Sequence, residues 1–344
     1  MENVGEKRLV SEWEAITKDN EGEAHIHTLH KFEYAPDPVD EALFISQAAP
    51  TIIRPSRRVK PAREDELTLV FGDAQIGYRG EEAFHSERSM LLAQTAIREL
   101  MPDRVIYLGD MLDLPNMSRF EQRADWQGST QKSLDRYHTF LSETRANAPN
   151  AEIVTMEGNH EVRMERMLRK DAADLMHIKR ANAEKELGVL TLQFLLRMDE
   201  LEVNHISGYP NGVYWLNDNM KAIHGTNVAK GGSNAAKYLR DEMTSTLFGH
   251  THRVEMANRT IPTRTGSKTI VAASPGALAS NEGHIPGHNY TTDNQNNTVL
   301  RAEDWQAGML MVQTTKTAEH VTPVVFHGNE FAAWGRIYRV EDQE

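Results

Sequence analysis

No cysteine occurs among the 344 residues, which excludes a disulfide scaffold, a thiolate zinc site and a cysteine nucleophile. Any metal must then be held by His, Asp, Glu, Asn or Gln. Long apolar runs are missing too. The stretch around Ile106 is far shorter than the ~20 residues of a membrane span, and the polar start MENVGEKRLVSEWE has no apolar signal core. These absences predict a soluble, cytoplasmic protein without a membrane partner. Positive charge is also scarce, with 38 Lys and Arg against 50 Asp and Glu and a formal net charge of −12. Such a balance argues against a surface that coats nucleic acid, while leaving a local phosphate site open.

Counting the 22 glycines with the 39% apolar residues gives about 45%, the lower end of the globular range. The length allows one large domain or two smaller ones. Residues 1–64 are rich in charge and proline, and their apolar residues follow no sustained period of 2 or 3.6. They read as a polar extension or linker. Its end, RPSRRVKPAR, carries Arg54, Arg57, Arg58, Lys60 and Arg63, which suit either a tether to nucleic acid or a solvated linker. His25, His27 and His30 raise the idea of a small metal clip, but nothing nearby completes one.

From residue 65, short β-branched runs alternate with amphipathic segments, the pattern of an α/β protein with a layered sheet. Strands are expected at Leu67 to Phe71, Arg104 to Leu108, Glu152 to Met156, Val213 to Leu216, Met220 to His224, Ser245 to Phe248 and Thr269 to Ala273. Helices are expected at Ser86 to Leu100, about Gln131 to Asn147, and Glu161 to about Glu186. The late runs MLMVQTT and HVTPVVF read as a hairpin, and residues 281–297 as a polar surface loop.

In open α/β sheets, ligands bind beyond the carboxyl ends of strands, and five strands here end in chemistry. The first gives FGDAQ with Asp73 and Gln75, the second GDMLD with Asp110 and Asp113, and the third EGNHE with Asn159, His160 and Glu161. The fourth ends at His224, and the fifth runs into GHTH with His250 and His252. Singly, each has an ordinary explanation, since Gly-Asp after a strand is usually a turn. Together they supply only oxygen and nitrogen ligands, and two carboxylates, a carboxamide pair and three imidazoles among them make seven, enough for two metal ions sharing one carboxylate. Two such ions clamp a phosphoryl group and turn a bound water into hydroxide near neutral pH.

The order of these blocks resembles that of the calcineurin-like metallophosphoesterase superfamily. Its pattern is Asp-x-His, Gly-Asp-x-x-Asp, Gly-Asn-His-Asp/Glu, a single His, and Gly-His-x-His. The resemblance covers roughly residues 67–276, including an SPGAL segment, and places a metallophosphoesterase domain at residues 65–340. It implies an α/β fold, a layered β-sheet sandwich flanked by helices. It further implies that Asp73, Gln75, Asp110 and His252 surround one metal and Asp110, Asn159, His224 and His250 the other, with Asp110 as the bridge. A hydroxide bridging the metals would be the nucleophile. His160 would face the leaving-group oxygen as a proton donor, and Asp113 would orient it. The departure is Gln75, where the pattern has His. A carboxamide oxygen favours harder cations, tilting the expected pair toward Mn²⁺ or Mg²⁺ over Zn²⁺, with Fe²⁺ a further candidate.

GDMLDLP has no Arg-Gly after Asp113, unlike the serine/threonine phosphatases, and no Tyr there, unlike the purple acid phosphatases. The blocks are more similar to bacterial and phage members grouped with DNA-repair nucleases. The resemblance implies a phosphodiesterase or nuclease acting on DNA, RNA or nucleotides. A phosphomonoesterase of small metabolites or proteins is the alternative, and an inactive metal-binding scaffold is the non-enzyme alternative. Arg163 is the first candidate for substrate binding. Arg166, Arg169 and Lys170 suit either that role or a solvated helix face paired with Glu161, Glu165 or Asp171. Arg119 and Arg123 are further candidates, and Lys230 and Ser233 could make an anion-binding helix start. Tyr78, Tyr209 and Trp215 could stack on bases or fill the core.

Overall fold

The computed structural model describes residues 7–18, 24–34, 65–83, 85–118, 128–182, 187–229, 234–280, 290–292, 298–300 and 304–341. Arg54, Arg57, Arg58, Lys60, Arg63, Arg119, Arg123, Lys230 and Ser233 lie outside them. The chain divides into two compact units, Met1–Ile53 and Arg54–Glu344. In the first, β1 (Lys7–Lys18) pairs antiparallel with β2 (Ala24–Tyr34), where the scattered apolar residues predict no regular element. His25, His27 and His30 all lie on β2.

The second unit is mixed α/β. Its first half holds β3 (Glu66–Phe71), β4 (Tyr78–Arg79), β5 (Glu82–Ala83), α1 (Glu87–Leu100), β6 (Arg104–Tyr107), α2 (Ser129–Asn147), β7 (Glu152–Met156), α3 (Val162–Asp171), α4 (Leu192–Leu195) and β8 (Val203–Ile206). Then come β9 (Tyr214–Asn217), β10 (Met220–Ile223), α5 (Asn234–Asp241), β11 (Ser245–Phe248), β12 (Val254–Thr263) and β13 (Gly266–Pro275). The last strands are β14 (Tyr290–Thr292), β15 (Thr298–Leu300), β16 (Gly308–Thr314), β17 (Glu319–Val325), β18 (Glu330–Ala333) and β19 (Arg336–Arg339).

Six strands form one sheet in the order β17-β16-β3-β6-β7-β8, and five form another in the order β12-β13-β11-β10-β9. The pairs β3·β6, β6·β7 and β7·β8 are parallel, as are β10·β11 and β11·β13. Strands covered on both faces read as unbroken apolar runs, and Leu67, Leu69, Val70 and Phe71 of β3 are fully buried. One apolar cluster draws on both sheets: Val70, Ile106, Val154 and Leu310 from the six-stranded sheet, and Met220, Ala222, Leu247 and Ala273 from the five-stranded one. All parallel strands of a sheet point the same way, so their carboxyl ends open on a common edge.

Helices α1 and α2 fall where the apolar spacing predicts them. Ser86 caps α1 by accepting from the Ser89 N–H at 3.2 Å. The expected helix from Glu161 to Glu186 is shorter: α3 stops at Asp171 and a 3₁₀ turn follows at Ala173–His177. Val162, Met164 and Leu168 are buried, whereas none of residues 169–178 is. A helix without a packed face loses the tertiary support that sustains it. Strand β12, in which only Glu255 and Ile261 are buried, and the hairpin β18·β19 have no counterpart in the expected elements. Within 281–297, read as a loop, the described residues are Tyr290–Thr292, which pair with Thr298–Leu300.

Candidate metal centre

Each block of polar residues leaves the carboxyl end of a parallel strand. Asp73 and Gln75 follow β3, Asp110 and Asp113 follow β6, Asn159 and His160 follow β7, His224 follows β10, and His250 and His252 follow β11. Five of them, Asp73 (φ 55°), Gln75 (φ 49°), Asp110 (φ 51°), His250 (φ 68°) and His252 (φ 56°), hold the left-handed backbone conformation. That conformation costs a non-glycine residue roughly 1–3 kcal/mol and persists only where the surroundings enforce it. Here the loops enforce it on one another. Asp73 N–H donates to Gly109 O at 3.0 Å, Gln75 N–H to Asp110 O at 2.9 Å, and Gly249 N–H to His224 O at 2.9 Å. Leu278 and Ala279, at the end of the SPGAL segment and beyond, donate to Gly72 O and Asp73 O at 2.9 and 2.8 Å.

Asp73, Asp110, His224 and His252 are buried, and their polar atoms converge. Ligating atoms of Asp110, His224 and His250 all lie within 4.8 Å of one another, forming a possible metal site. His224 Nε2 is 3.4 Å from Asp110 Oδ2 and 3.2 Å from Asn159 Oδ1. Its Nδ1 donates to Leu108 O at 2.8 Å, which fixes the ring and aims the Nε2 lone pair into the cluster. On the other side, His252 Nε2 is 3.4 Å from Asp73 Oδ1 and 3.3 Å from the Gln75 carboxamide. Both oxygens of Asp73 accept from the His250 N–H, at 3.1 and 3.0 Å.

Burial alone would raise the Asp110 carboxyl, but His160 and His224 beside it hold it well below the usual carboxylate range. Burial alone would lower His224, yet Asp110 and then Asp73 and Glu161 push it up to about 10. Burial, reinforced by the charge on His224, lowers His250. A buried cluster with two carboxylates thus draws a proton onto an imidazole, and a divalent cation can take that proton's place. The donors are carboxylate and imidazole without thiolate, a set that suits a divalent cation.

His160 N–H donates to Asp110 Oδ1 at 2.8 Å, and its Nδ1 lies 2.7 Å from Asp113 Oδ1. Its Nε2 is 3.7 Å from Asp110 Oδ2. Burial opposes a charge on this ring, but Asp110 and Asp113 raise its pKa above the ordinary value. Arg163 donates to Asp113 O at 2.5 Å and reaches His160 Nε2 at 3.0 Å, so its guanidinium is drawn into the site.

Two residues named in the sequence take other places than those expected, and a third, Trp305, escapes the sequence reading. Glu161, expected among the partners of helix arginines, is only 3% exposed. It accepts from the N–H groups of Asp110 (2.8 Å), Leu112 (3.0 Å) and Gly158 (2.9 Å), clamping the second and third blocks together. Burial and then Asp110 push its carboxyl up to about 7. Tyr209, half-buried, sets its ring edge-to-face against His224 with centroids 5.6 Å apart. Trp305 packs on His252 at 4.2 Å. A carboxylate just before a helix is the one readable signal among them, because that position faces unpaired N–H groups. Of the other aromatics, Trp215 is 52% exposed and Tyr78 packs on His85. At the start of α5, Glu255 accepts from Asn234 N–H and Ala235 N–H at 3.0 and 3.2 Å.

No family model matches the chain, and no curated protein sequence does. Among solved structures, Vps29 of Chaetomium thermophilum is similar at 12% identity, covering 81% of this chain and 97% of that chain, with a TM-score of 0.25. At that score the likeness supports no assignment of fold or activity. No helix among the described residues is long and apolar enough to cross a membrane.

Proposed function

We propose that the chain is a metal-dependent phosphoesterase of the calcineurin-like metallophosphoesterase kind, with a layered β-sandwich domain over residues 65–340 and a polar extension over residues 1–64. The observation that carries this reading is the gathering of all five blocks, from two sheets, around Asp73 and Asp110. Asp73, Gln75, Asp110 and His252 would hold one divalent ion, and Asp110, Asn159, His224 and His250 the other, with Mn²⁺ as the preferred metal. The carboxamide of Gln75 would turn its oxygen toward the cation, the two orientations of an amide being set by its partners. Two ions so held neutralise phosphoryl charge and make a bound water acidic enough to act as nucleophile near neutral pH.

The chain's own residues supply the rest. Asp113 holds His160 by Nδ1, leaving Nε2 to give a proton to the leaving-group oxygen as the ester bond breaks. Arg163 covers that nitrogen at 3.0 Å. A phosphoryl oxygen is a stronger acceptor for a guanidinium than an imidazole is, so the arriving substrate would draw Arg163 off Nε2, which accepts from it and carries no proton. The freed Nε2 would then take up a proton from solvent, which burial opposes but Asp110 and Asp113 favour, before giving it to the leaving group. The favoured substrate is a phosphodiester of nucleic acid or nucleotide type, in the cytoplasm.

The test is hydrolysis of bis-p-nitrophenyl phosphate, p-nitrophenyl phosphate and single-stranded DNA by the purified protein with Mn²⁺. Wild type should cleave the diesters, and Asp110→Asn should lose activity by about a thousandfold or more, as expected when several kcal/mol of charge stabilisation disappear. Activity on the monoester alone would overturn the diesterase reading. Inactivity with Mn²⁺, Mg²⁺, Fe²⁺ and Zn²⁺ would leave the metal-binding scaffold.

A further inference from the structure

Four cations lie along α3: Arg163, Arg166, Arg169 and Lys170. Three have assigned partners. Arg163 is drawn to Asp113 and His160, Arg169 pairs with Glu165, and Lys170 lies 3.7 Å from Asp171. Arg166 is exposed and, among the described residues, has no carboxylate partner. Its guanidinium carbon instead stands over the Tyr209 ring, 5.9 Å from the centroid. That ring is the one set against His224.

The placement is built from the strand that carries the third block. Glu157, the first residue of EGNHE, accepts from the N–H groups of Gly208 and Tyr209, each at 2.9 Å. The loop after β8 is thereby tied to the loop after β7, and the tie delivers Tyr209 to the metal centre. Helical spacing does the remaining work: Arg166 follows Arg163 by three residues, and positions i and i+3 share a helix face.

We infer that Arg166, steadied by Tyr209, is a specificity-determining contact for a phosphate next to the reacting one on a single-stranded nucleic acid. The inference rests on the phosphoesterase reading and names its substrate. The reacting phosphoryl group belongs at the cluster, within reach of Arg163. Arg166 stands one aromatic ring farther out, where it meets a second anionic group only if the substrate carries one. A nucleotide strand carries such a group at every step, whereas bis-p-nitrophenyl phosphate carries none. A cation beside a partly exposed aromatic face is also the chemistry with which proteins hold single strands. Tyr209 acts through Arg166 and is a positioning residue.

The experiment compares wild type, Arg166→Ala, Arg166→Lys, Tyr209→Phe and Tyr209→Leu on octathymidylate and on bis-p-nitrophenyl phosphate, with Mn²⁺. Arg166→Ala should raise KM for octathymidylate about tenfold, the loss expected for one hydrogen bond to a charged group, with KM for bis-p-nitrophenyl phosphate unchanged. Arg166→Lys should recover part of the loss. Tyr209→Phe should behave as wild type and Tyr209→Leu should resemble Arg166→Ala. A second readout needs no turnover. Anisotropy of fluorescein-labelled octathymidylate in EDTA gives the salt dependence of binding, and Arg166→Ala should lower the slope of log K against log salt by about 0.7, the value for one phosphate contact on a single strand. If wild type hydrolyses bis-p-nitrophenyl phosphate but Arg166→Ala changes neither the octathymidylate KM nor the salt slope, the inference fails and the phosphoesterase reading stands. An equal loss on both substrates, or wild-type protein without salt-dependent binding, also overturns it. Wild-type protein inactive on every phosphoester overturns the reading and the inference together.

Discussion

A glutamate at the start of a helix ordinarily faces solvent, where its charge favours the helix N-terminus by a few tenths of a kcal/mol. Glu161 is buried instead, and its two oxygens take three backbone N–H groups from two different loops. Removing an acceptor from buried donors costs roughly 1–3 kcal/mol for each. Glu161→Ala should therefore lower stability by several kcal/mol and reduce bound metal although no ligand is lost, whereas Glu161→Gln, which retains one oxygen, should lose less. Thermal denaturation and metal analysis check this, and a Glu161→Ala protein that melts with wild type would show that the clamp is dispensable. The metal-centre candidates were legible in the sequence because a carboxylate or imidazole directly after an apolar run is conspicuous. Trp305 was not, and Tyr209 was readable only as an aromatic that could stack on bases, not as the ring beside His224. Their role depends on which loop lies beside which, and nothing in residues 207–211 or 304–306 marks their distance from His224 or His252.

Elements show the same division between what periodicity encodes and what packing decides. The parallel strands β3, β6, β7, β10 and β11 stand at their expected positions, β3 as a run buried along nearly its whole length and β10 as an alternation that buries Met220 and Ala222. Helix α3 is shorter than its pattern predicts: apolar residues continue past Asp171, but Leu175 and Ile178 are exposed and give the helix no packed face. Strand β12 was missed for the opposite reason, since Arg259 and Thr260 face solvent and hide the alternation. The turns between elements carry a stricter requirement. A Cβ added at Gly158 would stand 2.2 Å from Asp110 Oδ1 and 2.5 Å from Asp110 N, inside any permitted contact. Gly158→Ala should therefore push the third block away from the second and weaken metal binding, measured by isothermal titration with Mn²⁺. Gly80, also at positive φ (58°) but with nothing within 4 Å, is the control: Gly80→Ala should cost about 1 kcal/mol of backbone strain and leave metal binding alone. Equal metal affinity in both variants would mean that the close approach of the two loops is not needed.

At the scale of the molecule, the first three blocks hang from the six-stranded sheet and the last two from the five-stranded one. Sequence order alone reveals the blocks but not this partition, which arises because β10, β11 and β13 pair with one another and not with β7. One apolar cluster joins the sheets, and the polar cluster joins them again at their carboxyl edge, so a cation held between His224 and Asp110 grips both. Anything that binds the folded chain and not the unfolded one stabilises it by RT ln(1 + [L]/Kd), about 2.7 kcal/mol at a hundredfold excess over Kd. Calorimetry of the protein should then show the Arg54–Glu344 unit melting in one transition that Mn²⁺ moves upward as a whole. Asp110→Asn should melt without that shift, having lost the carboxylate shared by the two halves. Two separate transitions, with Mn²⁺ moving only one, would mean that the sheets unfold independently and that the cation is held by one of them alone.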